Sequence, residues 1–197
     1  MRGVAGSVIS LGAAVSATGW NVQTAALAFA SMGLTFAMWW TNVSIPFGEI
    51  LHAHRERSFT FGYGHLPIYG AVAGLGAGLH VVAYYVEAGH DPEVAEWVHI
   101  GPVGAVLAVA IPVVIFIVSL FAMWSALFRS TDPGHLFAML GATGAILGTV
   151  LLAKAGVSVA WCLIVLCLAP AIIVLAYEVR GHEHQAAALA RQSDQHG

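Results

Sequence analysis

The residues best suited to chemistry in this sequence are histidines, one carboxylate and one amide that lie near the ends of apolar segments. They are Asn42, Glu49, His52, His54, His65 and His80. Histidine binds and releases protons near neutral pH, and polar groups at membrane depth often mark ion or solute pathways. Glu49, His52 and His54 could form a gate or an ion-entry mouth together with His65. Asn42, His65 or His80 could line a permeation path.

A structural interpretation of the same residues stays open. The segment from Pro46 to Thr60, which holds the glutamate and two of the histidines, could serve only as a solvated connector. His65 and His80 lie fifteen residues apart, about 22 Å along a helix, so they cannot coordinate one metal ion together. Their spacing to the other candidates matches no zinc motif. We therefore expect no metal ion and no cofactor.

Catalytic motifs are missing from the sequence. It contains no nucleophile elbow, no paired-histidine zinc motif and no phosphate-binding loop, and it has no Cys-x-x-Cys pair. We therefore expect a protein that is not an enzyme.

The composition explains where such polar residues would have to act. Of the 197 residues, 59% are hydrophobic and 9% are charged, whereas a soluble domain carries about 25% charged residues. The mean hydropathy is +0.82. These values predict an integral membrane protein in contact with lipid, and the scattered basic residues offer no surface for nucleic acid.

Six charge-free apolar runs are long enough to cross a bilayer as helices. They are Gly3–Gly19, Val22–Ser44, Tyr63–Val86, Ile100–Phe128, Gly134–Leu152 and Val157–Tyr177. None alternates apolar and polar residues, as a membrane β-barrel would require. The sequence therefore predicts an all-α polytopic transmembrane bundle over residues 1–179, followed by a polar tail over residues 180–197.

The distribution of lysine and arginine predicts the orientation of the bundle. Six of the seven basic residues fall on one side of the six spans, and only Lys154 falls on the other. Because cytoplasmic segments retain basic residues, both termini and the polar tail are expected in the cytoplasm. This orientation predicts a cytoplasmic (inner) membrane.

The first span has an alternative interpretation as a cleaved signal peptide. Met1-Arg2, an apolar stretch and Val15-Ser16-Ala17 fit that pattern. Cleavage would leave five spans and a mature N-terminus outside the cell. The tryptophans favour six intact spans, because they fall near the predicted membrane interfaces.

Glycines repeat every four residues in two of the predicted spans. Gly70, Gly74 and Gly78 lie in the third span, and Gly144 and Gly148 lie in the fifth. Small residues at this spacing let membrane helices approach closely. We expect both stripes to pack helices, either within the chain or against a second copy of it. The alternative is that the small residues line a pore.

Two motifs resemble the bacterial low temperature requirement protein A family. They are the Trp39-Trp40 pair and the sequence Tyr63-Gly64-His65-Leu66-Pro67, and the stretch from Gly6 to Gly12 is similar to a third family segment. The resemblance implies a polytopic membrane protein connected with growth or stress at low temperature, whose biochemical activity is not established. Among the motif residues, His65 is the one functional position that the resemblance carries over from the family to this chain.

This sequence also departs from the family pattern. The family has a glutamate where this chain has Gly6, and it has an aromatic pair and an aspartate where this chain has Asn42, Val43 and Ser44. Family members are about twice as long, so the chain resembles their C-terminal half. Two functions are expected from these observations: a transporter or permeation protein, or a non-catalytic scaffold that acts through a homo-oligomer or a partner membrane subunit.

Overall fold

The structure is a computed structural model that describes residues 12, 22–45, 47, 51–52, 55–128 and 133–178. Within these residues, six α-helices have described bounds: α1 (Val22–Ser44), α2 (Ser58–Ala88), α3 (Pro92–Ala95), α4 (Pro102–Phe128), α5 (Pro133–Lys154) and α6 (Val159–Leu166). A 3-10 turn at Arg55–Arg57 leads into α2. After an irregular turn at Cys167, α6 continues to Glu178. The described residues contain no strand, so the all-α prediction is confirmed.

In the part of the chain that the structure describes, five helices are long and apolar enough to cross a membrane: α1, α2, α4, α5 and the extended α6. They correspond to the second to sixth predicted spans. The first predicted span, the signal-peptide alternative and the polar tail lie outside the described residues, apart from Gly12.

Proline determines where several of these helices begin and where one is interrupted. Pro92, Pro102 and Pro133 each occupy the first helical position, where the fixed φ of proline suits the helix and its missing N–H is not needed. Pro170 removes the N–H that would bond to the Leu166 carbonyl, and the helix is irregular at Cys167, the next residue.

One predicted boundary is wrong at the start of the third span. The helix begins at Ser58 and not at Tyr63, so part of the expected polar connector is helical. The residues from Ser58 to Phe61 carry no charge, and they continue the turn begun at Arg55–Arg57. Nothing in this stretch ends a helix, and the first turn can therefore form before the apolar run starts.

Successive membrane-spanning helices run antiparallel to one another, so their termini lie at two opposite ends of the bundle. The Arg57 end contains the start of α2 and the end of α4, and the His90 end contains the opposite helix termini and α3. The main contacts pair α2 with α4 and α1 with α6, while α5 packs on α6 and α4. Only 22% of the α5 span is buried, against 39–50% of the other spans, so α5 lies at the periphery.

Candidate functional site

His65 lies at the Arg57 end of α2, surrounded by aromatic rings. The side chain is buried, and its ring lies 4.3 Å from Phe61, 5.6 Å from Tyr69 and 6.2 Å from Phe47, measured between centroids. Nδ1 lies 2.8 Å from the Phe61 carbonyl oxygen, so the Nδ1–H group donates to it. In the neutral ring this leaves Nε2 as the acceptor, the one atom through which His65 can take up a proton or a polar ligand.

His80 occupies the other half of α2. Its half-buried ring packs edge-on against Tyr84, with centroids 5.0 Å apart. Fifteen residues of continuous helix separate it from His65, and the two imidazoles therefore lie about 22 Å apart along the axis. The structure does not bring them into one site.

Of the remaining sequence candidates, Asn42 lies near the end of α1 at the Arg57 end, and its Oδ1 atom is buried without a hydrogen-bond partner. His52 is exposed. Glu49 and His54 lie outside the described residues.

Arg57 has a structural role that the sequence did not reveal. Its Nη1 donates to the carbonyl oxygen of Leu127 in the last turn of α4. Helix C-termini carry unsatisfied carbonyls and a partial negative charge, and a cation there is stabilising. Part of the segment interpreted as a solvated connector therefore joins α2 to α4.

The α2–α4 interface runs antiparallel through three glycines. A Cβ atom added to Gly64 would lie 3.0 Å from Met123 Sδ, and one added to Gly74 would lie 3.3 Å from Pro112 Cγ. At Gly78 the added atom would lie 2.7 Å from the carbonyl carbon of Ala108, which is backbone that cannot move aside.

Pro112 explains why the Ala108 carbonyl faces a glycine. Proline has no N–H, so the carbonyl four residues earlier loses its usual bond within α4. That carbonyl belongs to Ala108, and the nearest hydrogen of the Gly78 Cα points toward it. A Cα–H···O contact between helices is a recurrent way to place such a carbonyl where water is absent.

Only two of the three glycines in the predicted α2 stripe contact α4. A Cβ atom at Gly70 would have no neighbour within 4 Å. Residues four apart are displaced by about 40° around a helix, so a stripe of three turns away from its neighbour. Gly70 therefore faces outward.

The predicted α5 stripe does not pack against the described part of the chain. Added Cβ atoms at Gly144 and Gly148 would also have open space around them. The close contact of α5 is made by Gly141, where a Cβ would lie 3.1 Å from Ile172 on the extended α6. The peripheral position of α5 explains the difference.

A cavity of about 400 Å³ opens at the His90 end between α1, α2, α6 and the loop that contains α3. Its lining includes Leu27, Val86, Val98, Ile100 and Val159, which make the walls mostly apolar. The polar side chains in the lining are Gln23, Thr24, Tyr85, His90 and Ser158.

Ser158 is the most informative of these polar residues. It is the N-cap residue of α6, yet its side chain makes no capping hydrogen bond. Its Oγ atom is buried and has no partner. An unpaired buried hydroxyl is costly, so one residue of the cavity lining holds a donor and an acceptor that the described residues do not use.

A line of polar residues extends from this cavity along the buried side of α1. Thr24, Ser31, Thr35 and Asn42 fall within about 40° of one another around the helix. Thr24 and Ser31 are buried, and Thr35 and Asn42 are half-buried. Ser31 donates to the Leu27 carbonyl at 2.7 Å, which leaves its oxygen lone pairs as acceptors.

Sequence reasoning missed this line, although its periodicity could have revealed it. Thr24 and Asn42 are eighteen residues apart, which is five full turns and about 27 Å of helix, close to the thickness of the hydrocarbon core. The cavity itself had no sequence signal, because its lining comes from four separate segments.

The described residues contain no group of three potential metal ligands. A sequence model of the bacterial low temperature requirement A protein (LtrA) family matches residues 6–170. No curated protein and no solved structure matches the chain. The family match covers most of the chain and agrees with five apolar helices of membrane-spanning length. The chain is a multi-pass membrane protein that belongs to the LtrA family.

Proposed function

We propose that the protein is a permeation or transport protein that moves a small solute across the bacterial cytoplasmic membrane. One observation carries the proposal: the polar line on α1 begins at Thr24, which lines a cavity at the His90 end, and ends at Asn42, whose side-chain oxygen is unpaired near the other end. Membrane proteins tolerate unpaired polar atoms at depth mainly where these face water or a substrate path.

His65 supports the same function at the Arg57 end. Its Nδ1–H group donates a hydrogen bond to the Phe61 carbonyl oxygen. Nε2 is therefore the atom that can exchange a proton or a hydrogen bond with a passing solute. The name of the family refers to a requirement at low temperature, and we propose that this movement of solute serves growth or stress survival in the cold.

Cysteine accessibility tests the path directly. Ser31→Cys and Leu34→Cys would be made in a chain that also carries Cys162→Ala and Cys167→Ala, reconstituted in liposomes. Ser31 and Leu34 are both buried on α1, but Leu34 lies off the polar line. We expect a charged, water-soluble methanethiosulfonate to modify Ser31→Cys at least tenfold faster than Leu34→Cys. Equal rates would contradict a wet path along α1.

Flux measurements test the function itself. Proteoliposomes would be assayed for proton movement with a trapped pH dye and for urea and glycerol movement by light scattering. We expect flux that His65→Ala and His65→Phe both reduce strongly, since phenylalanine keeps the aromatic packing but lacks Nε2. Flux retained by His65→Phe would exclude a role for the imidazole, and no flux under any gradient would overturn the proposal.

The second candidate is a scaffold that acts as a homo-oligomer or with a partner subunit. It is favoured by the open Gly144 and Gly148 positions on the least buried helix. Crosslinking of Thr143→Cys, an exposed position beside this stripe, should then give a dimer that Gly148→Leu abolishes. Loss of the dimer without loss of flux would separate the two functions.

A further inference from the structure

We infer that the cavity at the His90 end is a binding site for an uncharged amphiphile, a molecule with an apolar body and one hydroxyl, carbonyl or amide group. This assigns a ligand to the cavity whether or not the ligand then moves along α1, so it goes beyond the proposed function. The cavity volume of about 400 Å³ falls within the range of known small-molecule pockets.

The walls define the body of the ligand. Most lining side chains are aliphatic, including Leu27, Val98, Ile100 and Val159. Apolar walls favour a hydrocarbon body of medium length, because its transfer from water is favourable in proportion to the area buried. The cavity lies at a predicted membrane interface, where amphiphiles concentrate.

Ser158 defines the polar group. Ser158 lines the cavity, and its Oγ atom is buried and has no hydrogen-bond partner. A ligand oxygen at this position would supply the missing hydrogen bond, which an alkane cannot do. Because Ser158 makes no capping bond within α6, its hydroxyl has no structural function that ligand binding would disturb.

The charge of the lining disfavours an ionised head group inside the cavity. The lining residues include no Lys, Arg, Asp or Glu, and His90 and Tyr85 are their titratable side chains, so a buried charge would have no permanently charged counter-ion. The adjoining loop holds Glu87, Asp91, Glu93 and Glu96 and has no basic residue. Carboxylates are therefore repelled at the opening as well as poorly solvated inside.

Photolabelling with an octanol that carries a diazirine tests the inference. The protein would be held in phosphatidylcholine nanodiscs, and the labelled positions would be mapped by mass spectrometry. We expect labelling in the peptides that contain Val98–Ile100 and Val159–Ala160. Competition should be stronger for 1-decanol than for decanoate or decylamine, which have the same chain length.

Two variants separate this site from general partitioning into lipid. Ala95→Trp fills the cavity from an exposed position and should lower labelling of the lining several-fold, while Ala126→Trp, on an exposed part of α4, should not. Ser158→Ala should lower labelling by the octanol roughly three- to tenfold and leave labelling by the diazirine octane unchanged.

Three results would overturn the inference. They are equal labelling of the lining in Ala95→Trp and in the unmodified protein, unchanged octanol labelling in Ser158→Ala, and better competition by decanoate or decylamine than by decanol. Photolabelling measures binding and the liposome assay measures movement. Specific labelling without flux would therefore sustain this inference and reject the proposed function, and flux without labelling would do the reverse.

Discussion

The α2–α4 interface and the buried side of α1 are packed in opposite ways. In the first, backbone meets backbone: Gly78 lies against the Ala108 carbonyl, and Gly74 lies against Pro112. On α1 the buried side carries hydroxyls and an amide, borders a cavity and leaves the Asn42 oxygen unpaired.

The difference indicates which region holds the bundle together and which leaves room for a ligand. Lipid tails are as apolar as leucine, so helices associate through close contact and not through the hydrophobic effect. The α2–α4 interface meets that requirement. The α1 side borders a cavity and leaves the Asn42 oxygen unpaired, which lowers stability and is typical of functional regions.

The strongest test of this comparison replaces the glycines of α2 with alanine. Gly78→Ala should destabilise the bundle by about 3 kcal/mol, because the new methyl group collides with backbone. Gly70→Ala, which meets open space, should be neutral or stabilising by about 0.5–1 kcal/mol through helix propensity. Gly74→Ala should fall between them, since the Pro112 ring must shift slightly. Thermal unfolding in detergent measures the series, and equal stability of the three variants would refute the backbone contact.

The Arg57 contact extends the same interface to the end of the bundle. Arg57→Ala should destabilise the protein by about 1–2 kcal/mol, because the Leu127 carbonyl loses a charged donor. Arg55→Ala is the matched control, as Arg55 is exposed in the same turn. Denaturant unfolding should show no more than about 0.5 kcal/mol for the control. A similar loss of stability in both variants would mean that Arg57 contributes only its positive charge and no specific hydrogen bond.

On the α1 side we expect the substitution to increase the stability of the protein and not to decrease it. Asn42→Leu should stabilise the protein by about 1 kcal/mol, because an unpaired buried oxygen is removed, and it should reduce flux in liposomes. Ser44→Ala removes a polar group that bonds within its own helix near the end of α1, and flux should be unchanged in this control. Loss of both stability and flux in Asn42→Leu would indicate that the amide is structural.

The smallest effect is expected at Ser158. Its side chain makes no hydrogen bond, so Ser158→Ala should be neutral or should stabilise the protein by no more than about 0.5 kcal/mol. Thermal unfolding of the ligand-free protein provides the measurement. A loss of stability in Ser158→Ala would show that the hydroxyl supports the fold. Ser158 would then be a structural residue, like those of the α2–α4 interface.

Much of the architecture could be predicted from local composition. The runs of apolar residues located five of the helices to within a few residues, because the cost of burying charge in lipid acts on each segment separately. The glycine stripes were only partly informative: Gly78 makes a close contact, whereas Gly70, Gly144 and Gly148 face open space. Spacing indicates that a helix can be approached closely, but it does not say from which direction.

Chain composition by itself determined that this is an all-helical membrane protein, because hydropathy and charge are sums over neighbouring residues. Only the tertiary structure decided that Arg57 caps α4, that the carbonyl left unbonded by Pro112 faces Gly78, and that Ser158 lines a cavity. Each of these depends on residues tens of positions apart. Their relative positions follow from how the helices are packed and from no property of either segment alone.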